Sequence, residues 1–322
     1  MKEEKKLLQN QKFENFKKYS MLRKSVLNKE ENRMTKIYST NLEVGGSGKT
    51  TITFNGGFFL AEVMEKKVCL LDTDPTLALT NLMINIISQT YGGDLKELLK
   101  TIEEHPDQYT VKAIFEGGNP TPIKITDNID FIPGYAKLYD MTGEVTKKYN
   151  RKAMYLWLLK NREQLNKYDY ILIDTHNDES IFTQNALLIA DEIIAVAGVD
   201  KIIYTKIEKL INQVEEFKTV ELVATESGEI VSLVKANVRV VGNKFSRASN
   251  GKKAFTEEFE EKMKENPDLF IGYFEERKFL ETTKLSGEPM SRLEKKKHGQ
   301  SKSDKEFFKR TWEIYKKVYK LN

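Results

Sequence analysis

Glu43-Val44-Gly45-Gly46-Ser47-Gly48-Lys49-Thr50-Thr51 is the stretch on which the reading of this chain turns. Ahead of it, residues 36–42 alternate enough apolar and β-branched side chains to predict a short buried strand. Behind it, residues 52–63 are rich in apolar positions and predict a helix. A strand, a glycine-rich turn and a helix opening on Gly48-Lys49-Thr50 make a phosphate cradle. The glycines let backbone N–H groups close around an anion, and the helix N-terminus adds its partial positive charge. In such a cradle Lys49 reaches the β/γ-phosphates and the Thr50 hydroxyl ligates Mg²⁺. The general pattern G-x-x-x-x-G-K-[ST] asks for glycine at position 43, where this chain has Glu43.

The bulk properties set the frame. A chain of 322 residues and 37.3 kDa is long enough for one large α/β domain, or a domain with appendages. The hydrophobic fraction of 39% with mean hydropathy −0.53 describes a globular protein with a heavily charged surface. No apolar run approaches a membrane span, and Met1-Lys2-Glu3-Glu4-Lys5-Lys6 is too polar to begin a secretory signal, so a cytoplasmic location is expected. The single cysteine, Cys69, sits in Val68-Cys69-Leu70-Leu71 and reads as a core residue rather than a cluster ligand. Net charge is +4, unevenly spread. Residues 1–34 hold ten Lys/Arg against five Asp/Glu, and residues 292–322 hold eleven against four, so both ends are basic and the body is acidic. Residues 1–34 predict a basic helical extension, with Leu8, Phe13, Phe16, Tyr19, Leu22 and Val26 at roughly helical spacing. The domain proper is expected over residues 35–322.

Three further strands end on residues with chemistry to offer. Residues 67–72 run into Asp72-Thr73-Asp74-Pro75, a carboxylate pair where ligands bind in open α/β sheets. Residues 168–174 are a strand closing on Asp174, which in a phosphate-loop protein holds the Mg²⁺ shell; Thr175-His176-Asn177-Asp178 follow. Residues 237–245 form a strand carrying Asn243 near its end, and residues 128–134 form another ending in a turn. Residues 85–127 look peripheral, and His105 reads as an exposed loop residue. In residues 304–322, Phe308, Trp312, Tyr315 and Tyr319 recur at helical spacing among lysines. That pattern fits either core packing or an amphipathic membrane helix, and core packing is the better reading. Lys309, Arg310, Lys316 and Lys317 can share one face of that helix and are candidate DNA contacts.

The core Gly45-Gly46-Ser47-Gly48-Lys49-Thr50-Thr51 resembles the deviant phosphate loop of the ParA/MinD ATPases, usually written Lys-Gly-Gly-x-Gly-Lys-Thr-Thr. Asp72-Thr73-Asp74-Pro75 resembles the family's Asp-x-Asp-Pro-Gln segment, and Asn185-Ala186-Leu187 followed by Asp191 resembles its Asn-Ala-Leu-x-x-x-Asp helix. The likeness runs from about residue 36 to residue 320. It implies a doubly wound, mostly parallel α/β sheet binding ATP and Mg²⁺. It also implies Asp74 as the water-positioning residue, Asp72 and Asp174 with Thr50 at the metal, and Asn243 as the reader of adenine. By resemblance the function is a plasmid or mobile-element partition ATPase. Such proteins form ATP-dependent homodimers, bind duplex DNA non-specifically on the nucleoid, and hydrolyse ATP under control of a centromere-binding ParB-like partner.

Departures from the family pattern matter too. The signature lysine is Val44, the usual Gln is Thr76, and the prolines after the strand 168–174 are absent. The empty lysine position implies slow hydrolysis, or a substitute cation such as Arg239, Lys244 or Arg247. Alternatives are a MinD-like membrane-associated positioning ATPase and a hydrolysis-deficient, ATP-gated DNA-binding scaffold.

Overall fold

Ile37 and Tyr38, neighbours on strand β1 (Lys36–Asn41), are both buried, yet they pack into different hydrophobic clusters. The same split runs through β5 (Tyr170–Asp174), where Ile171 and Ile173 enter one cluster and Tyr170 and Leu172 the other. Successive strand side chains point to opposite faces, so a strand buried on both sides reads as a continuous apolar run. That is how a sheet covered by helices on both faces is written in sequence. The computed structural model describes residues 35–224, 228–277, 282–283, 286–296 and 301–321. The basic extension expected over residues 1–34 lies outside them.

The main sheet has eight strands in the order β10-β9-β6-β1-β5-β2-β4-β3. The remaining members are β2 (Val68–Asp72), β3 (Ile123–Lys124), β4 (Ile129–Ile132), β6 (Glu192–Ala197), β9 (Asn237–Phe245) and β10 (Phe270–Glu275). Every pairing is parallel except β3 with β4. A separate antiparallel hairpin joins β7 (Leu222–Ala224) to β8 (Ile230–Ser232). The expected doubly wound, mostly parallel α/β sheet is the observed one.

Helices α1 (Lys49–Phe58, extended by a π-helical turn Phe59–Val63), α2 (Ala78–Tyr91) and α6 (Lys302–Tyr319) cover one face. Helices α3 (Ile181–Ile189) and α4 (Ile203–Val220) cover the other, with α5 (Asn250–Glu265) beside β9 and β10. The aromatic stripe of α6 is spent inside the fold. Phe308, Trp312, Tyr315 and Tyr319 are buried, and Phe59 stacks on both Trp312 and Tyr315 at 5.3 and 5.5 Å between ring centroids. A Cβ on Gly56 would lie 2.0 Å from the Tyr319 hydroxyl, so glycine there is what lets α1 and α6 approach. Arg239 on β9 donates to the carbonyls of Lys317 and Val318 at 2.9 and 3.1 Å, closing the C-terminal end of α6.

One expectation needs correcting. Residues 85–127 are not uniformly peripheral: helix Val111–Glu116 buries Val111, Ala113, Ile114 and Phe115. Val111 N–H donates to Pro133 O at 2.9 Å, and Phe115 meets Phe182 edge-on at 4.9 Å. Six residues carry too little of a helical period for this burial to be read from spacing. His105 is exposed between helices, as expected.

Candidate functional site

The phosphate loop leaves β1 at Asn41 and turns at once, with Val44 N–H donating to Leu42 O at 2.7 Å. Gly46 (φ 70) and Gly48 (φ 95) take left-handed backbone, which glycine adopts without steric cost. A Cβ on Gly48 would lie 2.2 Å from Asn243 Nδ2. Helix α1 then starts at Lys49 with no side-chain cap and no acidic residue in its first turn. Its leading N–H groups are therefore free for an anion. Lys49 is only 8% exposed, and its Nζ donates to the carbonyls of Leu42 and Val44 at 3.0 and 3.1 Å. Burial pulls its pKa down, while Asp174, Asp74 and Asp178 oppose that.

The carboxylates arrive by strand register. Asp72 on β2 and Asp174 on β5 are direct partners, both fully buried at the carboxyl ends of adjacent strands. Asp72 is tied to its own loop: Oδ1 accepts from Asp74 N–H at 3.0 Å, and Oδ2 accepts from the Thr80 N–H and hydroxyl at 2.8 and 2.7 Å. Burial nevertheless pushes it up to about 6. Asp74 Oδ1 accepts from the Thr76 N–H and hydroxyl at 2.8 and 2.7 Å. So Thr76, where the family pattern has Gln, serves here to orient Asp74. At Asp174, burial and the neighbouring Asp72 raise the pKa well above the usual carboxylate range. Thr53 donates to its Oδ1 at 3.4 Å, and its Oδ2 has no hydrogen-bond partner.

A cleft of about 730 Å³ opens at the phosphate loop and Asp74, while the fully buried Asp72 and Asp174 are not part of its lining. Of the residues singled out above, Gly45, Gly46, Gly48, Lys49, Thr50, Thr51, Asp74 and Asn243 line it. Ser47 is buried in the same loop, with its carbonyl accepting from Asn243 Nδ2 at 2.8 Å. That bond settles which end of the amide is which, because only the NH₂ can donate to a carbonyl. Asn243 Oδ1 is left buried and unpartnered, as are Ser47 Oγ and Asp174 Oδ2. Buried polar atoms are ordinarily paired. Three orphans around one phosphate loop fit a bound Mg²⁺–nucleotide. Asp174 and Thr50 would hold the ion together with phosphate oxygens and water, a donor set suited to Mg²⁺.

Other named residues lie elsewhere. Lys309, Arg310, Lys316 and Lys317 sit on α6, away from the cleft. Among the three substitute cations, Arg239 closes α6, and Arg247 pairs with Glu260 and Glu257 at 2.8 and 3.3 Å. Lys244 alone of the three lines the cleft. Val44 packs against the core cluster, and its neighbour Glu43 holds Lys206 and Lys209 of α4 at 3.0 and 2.8 Å. Lys209 also reaches Glu179, beyond the end of β5, at 2.6 Å.

Reading the sequence missed the company His176 keeps. Its Nδ1 lies 3.0 Å from the Tyr139 hydroxyl and 3.1 Å from Asp178 Oδ2, and Tyr139 also donates to that oxygen. Asp178 Oδ1 accepts from Ser180 N–H and the Thr183 hydroxyl at 3.0 and 2.9 Å, which ties the loop to the start of α3. Burial pushes the Asp178 carboxyl up, but the hydrogen bonds from Tyr139, Ser180 and Thr183 outweigh it and bring it down to about 2. A depressed carboxyl adds stability that is present above its unfolded pKa and lost as pH falls toward the folded value. Asp178→Asn should therefore cost about 2 kcal/mol at neutral pH. It should also flatten the stability loss between about pH 4 and pH 2, as measured by urea unfolding at stepped pH. An unchanged acid limb would show that these bonds carry no stability.

The AAA domain family model AAA_31 matches residues 35–225, more than half of the chain, and the chain belongs to that family. Within it, the loop Gly45–Thr51 resembles that of the ParA/MinD type. The virulence-plasmid ParA family protein pGP5-D of Chlamydia psittaci is 31% identical over 150 residues, covering 47% of this chain and 52% of that protein. The chain thus spans about half the length of this curated relative. A plasmid partition protein from Borrelia burgdorferi B31, solved with AMPPNP, has a TM-score of 0.61 at 19% identity, covering 88% of this chain and 98% of that one. The pNOB8 ParA structure, bound to nonspecific DNA, has a TM-score of 0.51 at 21% identity, covering 73% and 78%. At these identities the two structures share the fold.

Proposed function

We propose that this chain is an ATP-dependent partition ATPase of a plasmid or mobile element. The observation that carries the reading is one cleft lined by the phosphate loop, Lys49, Asp74 and Asn243, with the buried Asp174 close enough to act on the Lys49 ammonium. In this reading the open N–H groups of α1 and Lys49 bind the phosphates. Asp74, fixed by Thr76, positions the attacking water. Asn243 commits one N–H of its amide to Ser47 O, and the atom left without any partner is the acceptor Oδ1. An acceptor pairs with the amine of adenine and is mismatched to the carbonyl of guanine. Bound Mg²⁺ would neutralise charge that develops on the phosphates.

ATP-dependent homodimers would then hold duplex DNA, with a centromere-binding ParB-like partner stimulating hydrolysis and the protein residing in the cytoplasm on the nucleoid. Support for the DNA contact comes from the exposed side of α6. There Lys302, Lys305 and Lys309 line one groove with Glu306, and Lys316 continues the stripe a further two turns on. Arg310 is engaged by Glu275 and Glu306 at 3.1 and 3.2 Å, and Lys316 by Glu313 at 3.1 Å. Lys302 and Lys305 thus join Lys309 as the stronger candidates among these and the residues first named, Lys309, Arg310, Lys316 and Lys317. Reversing Lys305 and Lys309 to Glu should weaken all duplex sequences alike and reduce the slope of log K against log salt by about 2 per chain. Binding is measured by anisotropy with and without MgATP. A mutant with unchanged slope, or a strong preference for one sequence in wild type, would defeat this assignment.

The MinD-like alternative loses its support, because the apolar face of α6 is packed into the core. No helix among the described residues is long and apolar enough to cross a membrane. The scaffold reading draws on Val44 and is decided by the turnover experiment below.

A further inference from the structure

Lys244 is one of five non-glycine residues with positive φ among the described residues, and it follows Asn243 directly. Its φ of 61° is left-handed backbone, a conformation costly for lysine and held only when surroundings demand it. The pairing of β9 with β10 slips by one residue between Gly242 and Phe245, and Lys244 sits in that bulge. Lys244 Nζ crosses from the end of β9 and donates to Gly46 O at 2.9 Å, while Asn243 Nδ2 donates to Ser47 O at 2.8 Å. Two consecutive residues of β9 therefore hold two consecutive carbonyls of the phosphate loop. The absence of a Cβ at position 48 leaves Asn243 the room it needs.

Backbone geometry turns this grip into a function. In a trans peptide the carbonyl and the following N–H point in opposite directions. Fixing the carbonyls of Gly46 and Ser47 toward β9 aims the N–H groups of Ser47 and Gly48 the opposite way. A loop with two left-handed glycines has many other shapes open to it, and each would scatter those donors. We infer that Lys244 is a positioning residue for nucleotide binding, which with Asn243 clamps the phosphate loop by its carbonyls in the anion-binding shape. This rests on the nucleotide-binding reading above and differs from a substitute for the lysine missing at position 44. A clamp acts on whatever phosphate the loop cradles, whereas a stand-in cation acts on the γ-phosphate.

The test titrates MgADP and Mg·AMPPNP into wild type, Lys244→Ala, Lys244→Gly, Lys244→Arg and Arg247→Ala, with melting temperatures for each. Arg247 is the control, since it follows β9 outside the cleft lining and pairs with Glu257 and Glu260 at 3.3 and 2.8 Å. Lys244→Ala should weaken both nucleotides by the same factor, roughly tenfold for loss of a charge-assisted hydrogen bond. Lys244→Arg should recover part of that, and Arg247→Ala should stay near wild type. Lys244→Gly should show the full loss at a melting temperature no lower than wild type, because glycine accepts the positive φ. It keeps the comparison available if the alanine variant does not fold.

Unchanged affinities in the glycine and alanine variants overturn the clamp. So does a loss confined to AMPPNP, which would put the ammonium on the γ-phosphate. An equal loss in Arg247→Ala also overturns it, since general positive potential would then explain binding. Wild-type protein that binds neither nucleotide sinks the proposed function itself.

Discussion

Lys49→Ala is expected to remove MgATP binding while leaving the protein folded. The side chain is buried, and its ammonium faces Asp74, Asp174 and Asp178 as well as two loop carbonyls. A nucleotide in the loop would replace those carbonyls with phosphate oxygens as partners. Truncating one member of a buried, hydrogen-bonded charge pair costs about 2–5 kcal/mol, or roughly 30-fold to several thousand-fold in affinity. The cost to folding should be far smaller, because desolvating the ammonium already works against it in the ligand-free protein. Calorimetric titration with MgADP and MgATP, beside thermal melts, reads both quantities. Wild-type affinity in the mutant would remove the phosphate loop from its assigned role, and the proposed function with it.

Val44→Lys is expected to raise ATP turnover, from a slow wild-type rate. The ParA/MinD resemblance implies a lysine before the paired glycines that reaches across a dimer to the partner's phosphates, and trans-acting cations in other phosphate-transfer systems are worth roughly 10³–10⁵ in rate. Here Val44 rests against the core, while Glu43 has gathered Lys206 and Lys209 beside it. A lysine at 44 can keep its alkyl stem on that apolar surface and extend its ammonium outward. The gain should fall short of the full range, because those two cations repel a third. Steady-state hydrolysis of wild type and Val44→Lys, with and without duplex DNA, measures it. A fast wild type that the substitution leaves unchanged would mean that position 44 is not empty in the functional sense. Turnover undetectable in both would favour the scaffold reading.

The motifs were legible because each is local. An apolar run ending in Asp72 or Asp174 announces a buried parallel strand with a carboxylate at its ligand-facing end, and both strands lie where expected. Gly46 and Gly48 announce a loop that needs left-handed backbone, and both adopt it. The helix through Phe308, Trp312, Tyr315 and Tyr319 was ambiguous, since one periodicity serves a core and a membrane surface equally. Only the presence of Phe59 and Gly56 of α1 opposite that stripe decided between them.

By itself, then, the sequence determined the α/β class, the phosphate loop, its carboxylates and the basic character of the last helix. Those properties follow from short-range patterning, in which neighbours along the chain share a strand, a turn or a helix face. Tertiary structure alone decided what each charged group does. It set Arg239 to close α6, Arg247 to pair with glutamates and Lys244 to grip Gly46 O across 198 residues of chain. It also made Asp72 a fastener for Thr80 and gave His176 its Tyr139 partner. A side chain's ionic and hydrogen-bonding partners depend on which strand ends the parallel sheet brings together. That order, β9 to β6 to β1 to β5 to β2, is a property of the folded sheet and of no single segment.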